Sequence, residues 1–238
     1  MGNGLSIITG VPGSGKSYYA VNKIVDVLKH PESVVLSNVK GFRFDKYKRY
    51  FQYIETKTIH YGMALMNHGE YIDITEDILN EGINFFTVQR FEKIREKYSD
   101  KRIYIFIDEA QRYFPPFLKN SEVIYFFDWH RHNGLEIYLM TQHISKISKQ
   151  ITENKASEIR AVNERYRPNG AFIYKEIDDT LVIGRQIIKA ERKIYNLYKS
   201  FDYESTAKKS IPKFVYLVPI FIIFSILSAI KFFISFSL

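Results

Sequence analysis

A chain of 238 residues that is 46% hydrophobic has room for one α/β domain with a substantial core plus an appendage. It contains no cysteine, which excludes disulfide frameworks and thiolate metal sites and fits a reducing cytoplasm. A formal charge of +8 favours anionic neighbours, nucleic acid or acidic lipid, without defining where they would bind. The opening Met1 to Ser6 lacks the basic flank and long apolar core of a secretory signal, so the N-terminus is expected to stay inside the cell. Gly2 and Ser6 match a loose lipidation pattern, but the lead-in to a first strand explains them better.

Leu5 to Thr9 reads as a short buried strand. Gly10 to Ser17 then forms a glycine-rich turn that opens a helix with Val21, Ile24, Val25 and Leu28 on one face. Asn22, Lys23, Asp26 and Lys29 lie on the polar face, His30-Pro31 ends the helix, and Val34 to Val39 is the next strand candidate. The turn Gly10-Val11-Pro12-Gly13-Ser14-Gly15-Lys16-Ser17 satisfies the phosphate-binding pattern G-x-x-x-x-G-K-[ST], placed between strand and helix as its mechanism requires. Its glycines let backbone N–H groups turn toward phosphate oxygens, and the helix N-terminus adds partial positive charge. Lys16 is expected to neutralise the terminal phosphates of ATP, and Ser17 to ligate Mg²⁺.

From Gly41 to Asn84 the pattern is weak, and no structure is assigned there. Within it, Phe42 to Tyr53 interleaves aromatic residues with Arg43, Lys46, Lys48 and Arg49. That composition suits either a loop anchored by its rings or a surface for single-stranded nucleic acid. Thr87 to Tyr98 carries Val88, Phe91, Ile94 and Tyr98 on one helical face, and Ile103 to Ile107 is an apolar run suited to a strand buried on both faces. Asp108-Glu109 follows at its tip, where ligands bind in parallel sheets. Asp108 is the candidate Mg²⁺ ligand and Glu109 the candidate base that polarises an attacking water.

Ser121 can cap a helix running through His132, with Asn133-Gly134 as its stop, and Ile137 to Met140 is a further strand that delivers Gln142 beside the tip of the Asp108 strand. Gln142 is therefore a candidate γ-phosphate sensor. Arg131 is a candidate arginine finger acting across a subunit boundary, with Arg90, Arg95 and Arg112 as competitors. His130 and His132 do not share a helix face, so a metal site there is not expected. After residue 158, Arg160 to Tyr166, Ala171 to Tyr174, Thr180 to Ile183 and Arg192 to Tyr198 look β-rich, with Pro168-Asn169-Gly170 as a turn.

Phe214 to Ile230 is an uncharged run preceded by Lys208, Lys209 and Lys213, and it can extend past Lys231 to Ile234. A transmembrane helix over 214–234 is expected, with a buried core helix as the alternative. The lysine bias places the N-terminal side in the cytoplasm. The expected organisation is an ATPase core over 1–158, a β-rich extension over 159–207, a basic linker over 208–213, the membrane helix over 214–234 and a tail over 235–238.

The segments GVPGSGKS from Gly10, IFIDEAQRYFP from Ile105, HRHNGLEIYLMTQH from His130 and IYNLYKS from Ile194 together resemble the Zot family of filamentous-phage morphogenesis ATPases. The resemblance covers most of residues 4 to 230. It implies a P-loop NTPase of the α/β class, with a mostly parallel sheet of the additional-strand type. It further implies a homo-oligomeric ring such as a hexamer, single-pass in the host inner membrane. Such a ring would use ATP and Mg²⁺ to extrude phage particles, with single-stranded DNA or its nucleoprotein complex and the assembly and coat proteins as partners. Many members of that family carry a sizeable domain beyond the membrane helix, and only a few residues follow it here, so no role of that domain is carried over. A DNA-segregation or plasmid-coupling motor working on duplex DNA, and a nucleotide-binding membrane scaffold without turnover, are the competing readings.

Overall fold

The computed structural model describes residues 4–49, 68–162, 170–178 and 180–198. The chain divides into two units, residues 1–200 and 201–238, and every described residue belongs to the first. The expected membrane helix over 214–234, its linker and its tail lie outside the described residues. Among the described residues no helix is long and apolar enough to cross a membrane.

One eight-stranded sheet organises the first unit. It contains β1 (Leu5–Thr9), β2 (Ser33–Ser37), β3 (Glu70–Asp73), β4 (Arg102–Ile107), β5 (Leu135–Thr141), β6 (Lys155–Val162), β7 (Ala171–Asp178) and β8 (Leu181–Lys189). Their spatial order is β3-β2-β4-β5-β1-β6-β7-β8. The first six run parallel, while β7 and β8 add antiparallel strands beyond β6. Strand β6 pairs with β1 from Lys155 through Arg160, so the sheet passes without a break through residue 158, where the composition changes.

Alternate side chains point to opposite faces of a strand, and the central strands are apolar on both. Ile7, Leu36, Ile105 and Leu139 enter one core; Ile8, Val35, Phe106 and Met140 enter the other. The first core is closed by α2 (Thr75–Glu81), α3 (Val88–Lys97) and α4 (Ser121–Trp129) through Ile78, Phe91, Phe126 and Phe127. Phe91 lies between Phe126 and Phe85, with ring centroids 4.7 and 5.8 Å away. Truncating a phenylalanine packed in this way costs about 3–5 kcal/mol. The second core is closed by α1 (Lys16–Leu28), whose Val21, Ile24, Val25 and Leu28 are buried as their spacing predicts.

The structure corrects four local expectations. The cap of α4 is Asn120, whose side-chain oxygen accepts from the N–H groups of Glu122 and Val123, and not Ser121. Helix α4 ends at Trp129, and a 3₁₀ turn over His130–Asn133 carries the chain to Gly134, which stops it at φ 67°. Arg192 to Tyr198 is not a strand. It contains a short helix, which follows the four-residue α5 (Lys149–Thr152) in chain order and is termed α6 (Arg192–Tyr195), and it buries Ile194, Leu197 and Tyr198. Strand β3 arises inside Gly41 to Asn84, where the sequence pattern is weak.

In the aromatic and basic stretch, residues 44–49 are helical, and residues 50–53 lie outside the description. Phe42 and Tyr47 are buried, and Phe44 packs between Tyr47 and Tyr71 at 5.7 and 5.5 Å. These rings therefore anchor the segment to the second core, leaving Arg43, Lys46, Lys48 and Arg49 exposed. The segment after β8 crosses α1. The Tyr18 hydroxyl donates to the Lys189 carbonyl at 3.1 Å and accepts from Glu191 N–H at 2.9 Å, and Arg43 N–H donates to the Leu197 carbonyl at 2.7 Å.

Candidate functional site

Strand β1 ends at Thr9 in the middle of the sheet, and the chain must turn sharply to enter α1. Gly10 does so at φ 146°, where an added Cβ would lie 2.6 Å from Ser14 Oγ and 2.7 Å from the Ala161 carbonyl of β6. Gly15 occupies the N-cap of α1 at φ 103° and supplies no side-chain cap. The first-turn N–H groups of a helix have no partner within it. Here they are left for an anion at the positive end of the helix.

Lys16 Nζ donates to the carbonyls of Gly10 and Val11 at 2.7 and 3.3 Å, folding back over the loop. Burial lowers its pKa, the carboxylates of Asp108 and Glu109 oppose that shift, and Lys146 adds to it. The lysine thus forms a cationic rim to the loop with two carboxylates nearby. Inside the loop, Ser14 Oγ is fully buried and has no hydrogen-bond partner among the described residues.

Strand β5 lies between β1 and β4, so the phosphate-loop strand and the Asp108 strand are separated by one additional strand. The expected additional-strand arrangement is therefore the observed one. Strand β4 carries Asp108 and Glu109 to the same sheet end as Gly10, and β5 brings Gln142, whose carbonyl accepts from Gly10 N–H at 3.2 Å. The Asp108 peptide is gripped by Asn38 beyond β2. Asn38 Oδ1 accepts from Asp108 N–H at 2.6 Å, and its amide donates to the Asp108 carbonyl at 3.4 Å.

Burial raises the Asp108 pKa above the ordinary carboxylate value. The Glu109 N–H, donated to Asp108 Oδ1 at 2.9 Å, lowers it; the Glu109 carboxylate raises it; Lys16 and Arg112 lower it. Glu109 is the one non-glycine residue with positive φ among the described residues, at φ 51° and ψ 42°. Left-handed backbone at a residue with a Cβ costs of order 1–2 kcal/mol. Its carboxylate accepts a short hydrogen bond from Gln111 Nε2.

The residues present fit a nucleoside triphosphate with a divalent cation. Loop N–H groups and Lys16 suit phosphate oxygens, and the Ser17 hydroxyl and the Asp108 carboxylate are hard oxygen donors of the kind Mg²⁺ prefers. Among the described residues no group of three or more His, Cys, Asp or Glu side chains could hold a metal on its own.

The structure thus brings together Gly10 to Ser17, Asp108, Glu109 and Gln142. It does not bring Arg131 to them within one subunit. Arg131 is exposed in the turn before β5, at the sheet end opposite Gly10. His130 beside it is a core residue, buried to 1%, with Nδ1–H donating to the Phe127 carbonyl. Two site neighbours were not foreseen. Asn38 signals itself only as a polar residue just past a buried parallel strand, and Lys146, whose Nζ donates to Gln142 Oε1 at 2.8 Å, gives no signal in the sequence. A separate cavity of about 620 Å³ between β3 and α3, lined in part by Phe85, Arg90 and Tyr98, contains none of the phosphate-loop residues.

Comparison with solved structures supports the fold. The N-terminal domain of zonular occludens toxin from Neisseria meningitidis superposes with a TM-score of 0.54 at 18% identity, over 84% of this chain and 100% of that one. The genome packaging NTPase B204 from Sulfolobus turreted icosahedral virus 2, in complex with AMPPCP, gives 0.50 at 17% identity, over 79% of this chain and 98% of that one. A DnaB-like replicative helicase gives 0.53 at 13% identity, over 80% of this chain and 57% of that one. These likenesses establish the fold. No curated protein sequence matches the chain. The family model for zonular occludens toxin (Zot) matches residues 4–204, and with the phosphate loop and the Asp108 strand in the arrangement described above, the chain belongs to the Zot family.

Proposed function

We propose that this protein is the membrane-anchored ATPase of filamentous phage assembly, hydrolysing ATP to drive extrusion of particles that contain single-stranded DNA. The observation that carries the reading is the convergence of Gly10–Ser17 with Asp108 and the strained Glu109 at one end of an additional-strand sheet in a Zot-family chain. Left-handed backbone at a residue with a side chain clusters at active sites, which favours turnover over a scaffold that only binds nucleotide.

Bound Mg²⁺·ATP supplies the phosphoryl group and a metal that neutralises charge on it. The chain supplies the rest. Loop amides and Lys16 would hold the phosphates and Ser17 and Asp108 would hold the metal, while Asn38 fixes the Asp108 peptide and Glu109 would orient water and accept its proton. Gln142, tied to Lys146 and to Gly10, registers the terminal phosphate in this reading. Arg131 acts only if a neighbouring copy in a ring presents it, since its own subunit does not. The run over 214–234 anchors the motor in the host inner membrane, with the nucleotide domain in the cytoplasm.

The test is ATP turnover by the purified full chain, with and without single-stranded DNA, beside Lys16→Ala and membrane fractionation of cells expressing it. Turnover stimulated by single-stranded DNA, lost in Lys16→Ala, in a membrane-bound protein supports the reading. Stronger stimulation by duplex DNA would make it a DNA-segregation motor, and absence of turnover would leave a scaffold. Persistence in the membrane fraction after deletion beyond Ser210 would remove the anchor.

A further inference from the structure

Aromatic rings crowd one flank of the phosphate loop, where phosphate chemistry alone has no use for them. Phe172 of β7 lies so close to Gly15 that a Cβ there would sit 2.4 Å from its Cδ1. Tyr18, the residue after Ser17, packs on Phe172 with centroids 4.8 Å apart. Tyr195 of α6 packs on Tyr18 at 5.0 Å, lies 6.4 Å from Phe172 and stacks on Tyr198 at 6.2 Å and 20°. Three of these rings are sealed, with Tyr18, Phe172 and Tyr198 at 1, 4 and 7% exposure. Tyr195 keeps 38% of its surface open.

The position matters as much as the exposure. A phosphate chain cradled by the loop meets the first turn of α1, and its nucleoside half must leave past the residues that follow Ser17. The first side chain there is Tyr18, and the open ring resting on it is Tyr195. That ring is also held in place before any ligand arrives. The Tyr18 hydroxyl bonds both the Lys189 carbonyl and the Glu191 N–H, pinning to α1 the segment that carries Tyr195. A rigid aromatic surface loses little conformational freedom on binding.

We propose that Tyr195 is the platform on which the base of a bound nucleoside triphosphate stacks, with Tyr18 and Phe172 fixing its ring. The inference rests on the reading of Gly10–Ser17 as a phosphate loop. Every base has a π-face, so the platform favours nucleotides over bare polyphosphate and does not by itself choose among bases.

The test is calorimetric titration of the full chain with Mg²⁺·ATP and, separately, with inorganic tripolyphosphate, for the wild type, Tyr195→Phe and Tyr195→Ala. Loss of one base–aromatic stack is expected to weaken ATP binding roughly 5- to 150-fold in Tyr195→Ala. Tripolyphosphate binding should be unchanged in that variant, and Tyr195→Phe should keep the wild-type ATP affinity. Equal ATP affinity in wild type and Tyr195→Ala would overturn the proposal. So would a parallel loss of both ligands, which would make Tyr195 a packing residue only. A wild type that binds neither ligand would fail at the phosphate loop itself, a different result from either.

Discussion

Glu109 carries two consequences that can be measured apart, because its backbone is strained and its carboxylate is near enough to Lys16 of the phosphate loop to act on it electrostatically. Replacing it by glycine removes the carboxylate and relieves the left-handed backbone at φ 51°. Replacing it by glutamine removes only the charge. The relief is of order 1–2 kcal/mol, and glycine's greater freedom in the unfolded chain takes back about 0.5–1 kcal/mol. Glu109→Gly should therefore be more stable than Glu109→Gln by up to about 1.5 kcal/mol, and by about 0.75 kcal/mol at the middle of both ranges. In a domain of this size that is a difference of about 1–4 °C in Tm. Both variants should lose roughly 10²- to 10⁴-fold in ATP turnover, the range for a general base, while still binding nucleotide. Differential scanning fluorimetry beside a steady-state phosphate-release assay reads both effects. Turnover at the wild-type rate in Glu109→Gln would refute the catalytic role. A glycine variant no more stable than the glutamine variant would refute the strain.

Two further outcomes follow from single contacts. Gly15→Ala would place a methyl group 2.4 and 2.7 Å from Phe172 ring atoms at a φ of 103°, and Phe172 is itself packed in the second core. Overpacking and backbone strain together should cost about 2–5 kcal/mol, and a thermal melt of the variant within experimental error of the wild type would disprove the contact. His130 is buried, and burial lowers its pKa despite its bond to Phe127. Its folded pKa lies below its unfolded one, so the unfolded chain binds the extra proton and stability falls as pH drops through and below about 6.5. His130→Phe should flatten that part of the stability profile between about pH 7.5 and 5.5, and an unchanged slope in Tm against pH would show that another group sets it.

The parts of the fold that were legible in the sequence are those where local pattern and burial agree. Leu5–Thr9 and Ile103–Ile107 are apolar on both faces, and both are central strands; Val21, Ile24, Val25 and Leu28 fall on one helical face, and they are buried. Strand β3 escaped because its four residues, Glu70 to Asp73, form a sheet edge that is half exposed and shows neither a clean alternation nor an apolar run. Asn120 and Ser121 are both good caps, and only the observed backbone decides between them. Ile194, Leu197 and Tyr198 read as strand because burial against α1 and burial in a sheet select the same side chains.

The site was legible in its motifs and not in its supports. Gly10–Ser17 and Asp108 are local signals, whereas Asn38 meets Asp108 seventy residues away in sequence and Tyr174 donates to the Gly15 carbonyl across 159 residues. No spacing rule reaches that far. Glu158 is a similar case. Its buried carboxylate accepts from Thr9 Oγ1 at 2.9 Å and from Arg160 at 3.0 Å, bracing the strand end from which the loop departs.

The placement of β1 has a consequence for how the domain is made. The strand precedes both of its partners in the chain by more than a hundred residues, since its two neighbours are β5 and β6, with Leu5 paired to Ile137 on one side and Lys155 on the other. Such distant pairing is slow to find and cannot begin while its partners are still unsynthesised. The glycine-rich turn therefore stays unsupported until β6 has been made, and a fragment ending before Leu135 would carry the complete phosphate motif and neither of the strands that flank β1.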